Sequence, residues 1–194
     1  IYKEATDNNK FLHIVVALAG HECEEITTVF LNDEALTLDG SGNATAPSKY
    51  NGKVRIKSAL GTNTQVADPD LVSESAGLWT ADHRLLGVTY VYARLEFDAD
   101  AFPNGEPNIT ALVKGKKVLN PNTGSVAFSE NSALILRDYL TSDFGLSAES
   151  TDIDDTAFIT AANVCDEDVA LAAGGTEKRY TTNGTFTTGS KPKD

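Results

Sequence analysis

The sequence is short of basic residues, cysteine, methionine and long apolar runs, and each shortage bears on what the chain can do. Lys and Arg number 16 against 28 Asp and Glu, a formal net charge of −12. A chain so charged is poorly suited to gripping nucleic acid through its phosphates or lying on an anionic membrane surface. Two cysteines, Cys23 and Cys165, are too few for a disulfide scaffold or a zinc site built from thiolates alone. Their ordinary place is in the core, as small apolar side chains with free thiols. No apolar run approaches the length of a membrane span. Methionine is absent and the sequence opens on Ile1, as expected of a piece cut from a longer protein.

What remains is of globular composition. The hydrophobic share is 41% over 194 residues, enough to build a buried core and too much for wholesale disorder. Residues 1–10 are polar and read as an entry arm. Phe11 to Ala19 is a continuous, β-branched apolar run, expected to be a buried strand. Ile26 to Leu31 predicts a second strand, Asn32-Asp33-Glu34 a turn, and Ala35 to Leu38 the strand that returns from it. Residues 39–86 read as an excursion or inserted subdomain. Within it, Val54 to Leu60 alternates like an edge strand, and Asp68-Pro69 opens a short helix. Trp79, the only tryptophan, is expected to plug the junction with the main sheet.

Gly87 to Asp98 carries the clearest strand signal. Val88, Tyr90, Tyr92, Arg94 and Glu96 alternate with Thr89, Val91, Ala93, Leu95 and Phe97. Ile109 to Val113 and Lys117 to Leu119 flank Lys114-Gly115-Lys116, which reads as a hairpin tip. Residues 11–128 are therefore expected to be one β-rich domain. Residues 129–178 hold two short helices. The first places Ala133, Leu136 and Leu140 on one face, with Ile135 and Tyr139 beside them, capped by Asn131 or Ser129. The second places Phe158, Ala161, Ala162 and Cys165 on one face. Either Asp154 caps it, with Ile153 stapled onto Phe158, or Asp152 caps it with Asp155 at the third position. Gly174-Gly175 reads as a joint. Residues 179–194 are expected to hold a strand or hairpin, with Asn183-Gly184 as a turn or bulge. The fold class expected is α+β, mainly β: an antiparallel, barrel-like sheet domain, its excursion, two helices and a terminal strand or hairpin.

No cluster carries a catalytic or metal signature. His21-Glu22-Cys23-Glu24-Glu25 gathers ligand-type side chains, but no second cluster completes a metal site, and an acidic connection between strands explains it. Asp82-His83 lacks the Gly-x-Ser-x-Gly elbow that would supply a nucleophile. Asp152-Ile153-Asp154-Asp155 lacks the glycine and closing glutamate of a calcium loop. Asp98-Ala99-Asp100 reads as a strand end. Gly174 to Lys178 has its lysine misplaced for a phosphate loop. Asn43, Asn108 and Asn183 head Asn-x-Thr triplets, which matter only in a secreted eukaryotic protein. The tyrosines of Gly87 to Asp98 can serve a sugar-binding face or pack beneath the Trp79 excursion. The expectation is no enzyme, no cofactor and no metal.

A series of stretches nevertheless has a recognisable order. They are Ala17 to His21, Val29 to Glu34, Gly87 to Leu95, Phe102 to Val118, Asn131 to Leu140 with Phe144-Gly145-Leu146, and Ile153 to Glu167 with Gly175 to Tyr180. Taken together, from residue 11 to about 188, the chain resembles the central region of phage tail-tip proteins. This is the family of the host-specificity, or tip attachment, protein of lambda-like phages. Ser132 stands where the family's Asn-Pro-Ala-Leu pattern has proline, which leaves the helix start intact. The resemblance implies a virion structural protein at the tail tip, assembled in the bacterial cytoplasm. It implies a homotrimeric hub that closes the tail tube and carries the host-recognition fibre. Partners would be other tail-tip and tail-tube proteins and the tape measure protein. DNA would pass through without being specifically bound, and this region would meet no membrane. It also implies that the full protein continues past both ends of this region. A hub of this kind is expected to present an apolar or edge-strand surface that neighbours cover. Two other readings belong to different classes: a secreted or surface β-rich binding module for a glycan or protein ligand, and a hydrolase using a carboxylate pair.

Overall fold

The computed structural model describes residues 2–3 and 10–185. The chain divides into two compact units, Ile1–Lys116 and Lys117–Asp194. This division falls inside a strand, ahead of the boundary between residues 128 and 129 that composition suggests. Of the expected entry arm 1–10, Tyr2–Lys3 forms a short strand, β1; most of the rest lies outside the described residues.

The first unit is built from antiparallel strands. After β1 come β2 (Phe11–Ala19), β3 (Cys23–Leu31), β4 (Glu34–Ala35), β5 (Thr37–Leu38), β6 (Ala44–Ala46) and β7 (Val54–Leu60). Helix α1 (Pro69–Glu74), β8 (Thr89–Glu96) and β9 (Ile109–Leu119) follow. One sheet has the order β1-β2-β8-β7, and in a second β3 pairs with both β9 and β4. The hairpin from β3 to β4 turns on Asn32 and Asp33, both with positive φ (49° and 64°), the backbone that a two-residue turn between twisted strands demands. The expected strand at Ala35 to Leu38 is thereby split. Glu34–Ala35 stays with β3, whereas Thr37–Leu38 pairs with β6.

The core lies between the two sheets. Ile14, Val54, Ile56, Val91, Ala93 and Leu95 from one meet Val29 and Leu31 from the other, with Tyr50 and Ala101 filling from loops. β8 is buried on both faces. Val91, Ala93 and Leu95 enter this core, while Tyr90 and Tyr92 point the other way into a smaller cluster with Leu71, Trp79 and Leu85. β7 is an edge strand, as its alternation suggests, and its outer rim is partly occupied. Ile56 N donates to Gly42 O at 2.8 Å, and Asn43 bridges to Arg55. Gly42 is required there: its φ is +85°, and a Cβ would lie 2.2 Å from the Ile56 carbonyl oxygen. Residues 39–86 are thus woven into the unit through β7, with α1 over its sheet.

The hairpin tip expected at Lys114-Gly115-Lys116 is instead continuous strand. β3 offers partners along that whole stretch, Glu25 opposite Lys114 and Cys23 opposite Lys116, and Lys114 Nζ lies 2.7 Å from Glu25 Oε2. A favourable cross-strand pair outweighs the turn preference of one glycine.

The second unit begins with the last three residues of β9, which pair with β10 (Val126–Phe128) across the Asn120–Gly124 turn. Helices α2 (Ser132–Thr141) and α3 (Asp155–Cys165) follow, then the hairpin β11 (Asp168–Ala170) and β12 (Thr176–Lys178). Both helices start on the caps that the sequence offers. Asn131 Oδ1 accepts from Ala133 N and Leu134 N, and Asp154 Oδ1 accepts from Thr156 N and Ala157 N. Val118, Ala133, Leu134, Ala162 and Cys165 form the core, with Phe158 against it. Both cysteines are buried and free.

Three expectations for this unit need correction. The buried face of α2 is Ala133, Leu134 and Arg137, whereas Leu136 and Tyr139 are exposed. Apolar residues run around most of this helix, so spacing alone does not choose a face, and Asp155 lets Arg137 be the buried member. On α3, Ala161 is exposed and Ala162 buried. The terminal hairpin is earlier than Asn183-Gly184: Gly174 and Gly175, both at positive φ, form its turn. Residues 179–185 hold no strand. Their amides bond singly, Arg179 N to Glu167 O, Tyr180 N to Cys165 O and Thr182 N to Glu130 O. The remainder of that expected strand, 186–188, lies outside the described residues.

Asn131 ties the second unit together, since its Nδ2 also donates to Ala162 O of α3 at 2.9 Å while the residue is 5% exposed. Asn131→Ala is expected to lower stability by about 1–3 kcal/mol, the sum of a lost cap and a lost buried hydrogen bond to Ala162 O, which keeps only its bond from Asp166 N. Asn131→Ser, which keeps the cap alone, should fall between. Urea unfolding followed by circular dichroism ranks the three; equal midpoints for Ala and wild type would refute the tie.

Candidate functional site

The densest charged constellation in the first unit is on the outer face of the β2-β8-β7 sheet. Strand pairing places His13, Arg94 and Arg55 side by side on three neighbouring strands. Alternation dictates this: Arg55 and Lys57 alternate with the core residues Val54 and Ile56, and Arg94 shares the tyrosine face of β8. Arg94 and Arg55 are like charges directly opposite one another, an unfavourable pair that requires a counter-ion. α1 supplies it. Asp68 caps this short helix by accepting from Leu71 N at 2.9 Å, Pro69 occupies its first turn, and Asp70 and Glu74, four apart, share the face toward the sheet.

Glu74 Oε2 is the common partner, accepting hydrogen bonds from Arg55 and Tyr92 with Arg94 and His13 farther off. Arg55 Nη2 lies at 2.5 Å, the Tyr92 hydroxyl at 3.1 Å, Arg94 Nε at 3.5 Å and His13 Nδ1 at 4.0 Å. Asp70 Oδ2 stands 3.5 Å from Lys57 Nζ and 3.6 Å from Arg55 Nε. The Tyr92 hydroxyl also lies 2.8 Å from His13 Nδ1. Arg94 lies over the Phe11 ring, 3.4 Å from its centroid. Burial, and then the Glu74 charge, push the Tyr92 phenol far above its ordinary value of 10.0. Burial opposes the Arg55 charge, but the Glu74 carboxylate and the Tyr92 hydroxyl outweigh it and hold the guanidinium above its ordinary range. Tyr92 is therefore a fixed proton donor, and Glu74 an acceptor crowded by cations and a phenol. That chemistry clamps a helix to a sheet. Glu74 Oε2 is already accepting from Arg55 and Tyr92.

Apart from Tyr92, the residues singled out from sequence make other local contacts. Cys23 to Glu25 open β3; Cys23 is buried, with its Sγ 3.7 Å from His21 Nδ1, and Glu25 pairs with Lys114. His83 is exposed, accepts from Thr80 N and sits tilted against Trp79, with the ring centroids 4.9 Å apart. Asp98 closes a turn by accepting from Asp100 N and Ala101 N, and it holds Lys53 at 2.5 Å. Lys178 pairs with Asp168 across the β11–β12 hairpin. Among the described residues no group of three or more His, Cys, Asp and Glu is placed to hold a metal ion. Tyr90 and Tyr92 are 2% and 0% exposed, so the tyrosine face considered for sugars is packed under α1 and Trp79. The sequence reading passed over His13, Arg55, Glu74 and Arg94. The available signal was Arg55, Lys57 and Arg94 on strand positions of one face with Glu96 the carboxylate of that face on its strand, and an Asp/Glu pair four apart on the helix between those strands.

In the second unit, Asp155 is held well below its ordinary carboxyl value of 3.8, first by hydrogen bonding from Arg137 (Nε to Oδ1, 2.7 Å) and then by its charge. Arg137 is 6% exposed, whereas Asp155 reaches solvent.

Two outcomes follow. A folded carboxyl value below the unfolded one gives stability that is complete above the ordinary range and drains as pH falls from about 3.8 through the lowered value. Asp155→Asn should remove that part of the acid sensitivity of the second unit, read as thermal midpoints between pH 5 and pH 2. For the clamp, Glu74→Gln should cost about 1–3 kcal/mol in urea unfolding followed by Trp79 fluorescence. A double-mutant cycle with Arg55→Met should show coupling of roughly 1 kcal/mol or more, and strict additivity would mean that Glu74 does not hold the row. Compared with known proteins, the chain matches no family model and no curated sequence.

Proposed function

We propose that this chain is a structural part of the tail tip of a long-tailed phage or prophage. In this reading it belongs to the trimeric hub that closes the tail tube and carries the host-recognition fibre. The observation that carries the reading is the ordered series of stretches, from Ala17-Leu18-Ala19-Gly20-His21 to Gly175 to Tyr180, that resembles the host-specificity family. Those stretches fall on the framework: the end of β2, the β3–β4 turn, β8, β9, and helices α2 and α3 with the hairpin after them. An assembly protein needs rigid sheets and helices with surfaces for neighbours. The saturated Glu74 clamp and the exposed apolar side chains of α2 are compatible with that need. The net charge of −12 suits a wall past which DNA must slide without adhering.

The test is immunogold electron microscopy on particles induced from the source strain, with antibodies raised to this chain. Gold at the tail tip, on intact particles or on disrupted tails that open buried epitopes, is the expected result. Label absent from both, or found on the capsid, would overturn the assignment and return attention to a β-rich binding module.

A further inference from the structure

The outer side of α2 is apolar, and its largest side chains remain in solvent. Leu136 is 52% exposed and Tyr139 49%, one turn apart on the same side of the helix. The turn after the helix adds Phe144 at 80% and Leu146 at 69%. This turn is folded back on the helix end. Ser147 N donates to Ser142 O at 3.1 Å and Ala148 N to Leu140 O at 2.9 Å. Gly145 lies so close that a Cβ there would sit 1.7 Å from the Tyr139 carbonyl oxygen. Phe144 and Leu146, its chain neighbours, are thereby pinned at the Tyr139 end of the helix. Scattered exposed apolar residues are ordinary, but Leu136 and Tyr139 on the second half of the helix, with Phe144 and Leu146 on the turn folded against its end, are the kind of grouping that marks an interaction site.

The surrounding charge selects the occupant. Between Glu130 and Asp168 the chain carries ten carboxylates and one basic residue, Arg137. Arg137 is buried against Asp155, so it offers no charge to a partner. Asp143, Glu149 and Asp152 are exposed along the turn and the segment that follows it. A second copy of the chain, at −12, would bring the same carboxylates against these. A basic partner would find charge complementarity instead. The Leu136–Tyr139 ridge has the spacing beside which the apolar row of another helix packs.

We propose that this face docks a basic amphipathic helix of another protein, its apolar side on Leu136, Tyr139, Phe144 and Leu146 and its Lys or Arg side chains toward Asp143, Glu149 and Asp152. The proposal stands on the second unit alone and does not require a virion location. The probe is a fluorescein-labelled peptide of about 15 Leu and Lys residues in helical period, long enough to form a helix once docked. It is titrated against the 194-residue chain, beside a scrambled peptide of equal composition. Saturable binding of the periodic peptide is expected. It should weaken about tenfold or more with scrambling or with Leu136→Ser/Tyr139→Ser, and should weaken as salt is raised. Val66→Ser, an exposed apolar change in the first unit, should leave it unaltered. Should the double variant not fold by circular dichroism, Phe144→Ser, in the turn beyond the helix, replaces it. Equal binding of the scrambled peptide, or undiminished binding by the α2 variant, would overturn the proposal. Self-association of the wild-type chain that the same substitutions abolish would overturn it in favour of a second copy.

Discussion

A carboxylate suspended over two arginines and a histidine is the constraint on which the first unit depends. His13, Arg94 and Arg55 are neighbours because β2, β8 and β7 pair in the register that buries Ile14, Ala93 and Ile56 beneath them. The core therefore fixes this row, and the row in turn needs Glu74. Helix α1 has six residues, too few to persist on propensity alone. Its lodging comes from Leu71 in the tyrosine cluster and from the ion pairs of Asp70 and Glu74. With α1 in place, Tyr90, Tyr92 and Trp79 have a roof. Without it, two tyrosines, two arginines and a histidine would share one wet sheet face, and the excursion that carries α1 would have little to hold it.

The second unit solves a related problem with different atoms. Arg137 takes a core position on α2 because Asp155, the first residue of α3, neutralises it, and Asn131 spans from the start of α2 to the Ala162 carbonyl. Two short helices are thus joined by one ion pair and one amide around a small apolar core. Economy of burial has a cost on the outside. With Arg137 facing in, Leu136 and Tyr139 face out, and the unit presents an apolar surface in an acidic setting.

Much of this was legible from the sequence, and the misses have physical reasons. Alternation and β-branching located β2, β7 and β8, and the side-chain caps Asn131 and Asp154 located both helix starts, because these signals act within a few residues. The errors arose where a distant partner decided. Lys114 to Lys116 looks like a turn until Glu25 is placed opposite. The α2 face looks like Ala133, Leu136 and Leu140 until Asp155 meets Arg137. The clamp itself draws on residues 13, 55, 74 and 94, which no local pattern connects. Only pairing register makes them neighbours, and register follows from the whole sheet.

Gly42 shows how a loop can govern solubility. By laying its carbonyl on the Ile56 amide, with Asn43 bridging to Arg55, it occupies part of the open rim of β7. An exposed rim of that kind is a template on which another chain can add a strand. Only a residue without a side chain, and at ease with φ of +85°, can approach so closely. The smallest residue in that loop is therefore a guard against polymerisation: one methyl group at position 42 would lift the loop and leave free main-chain donors for strangers to pair with.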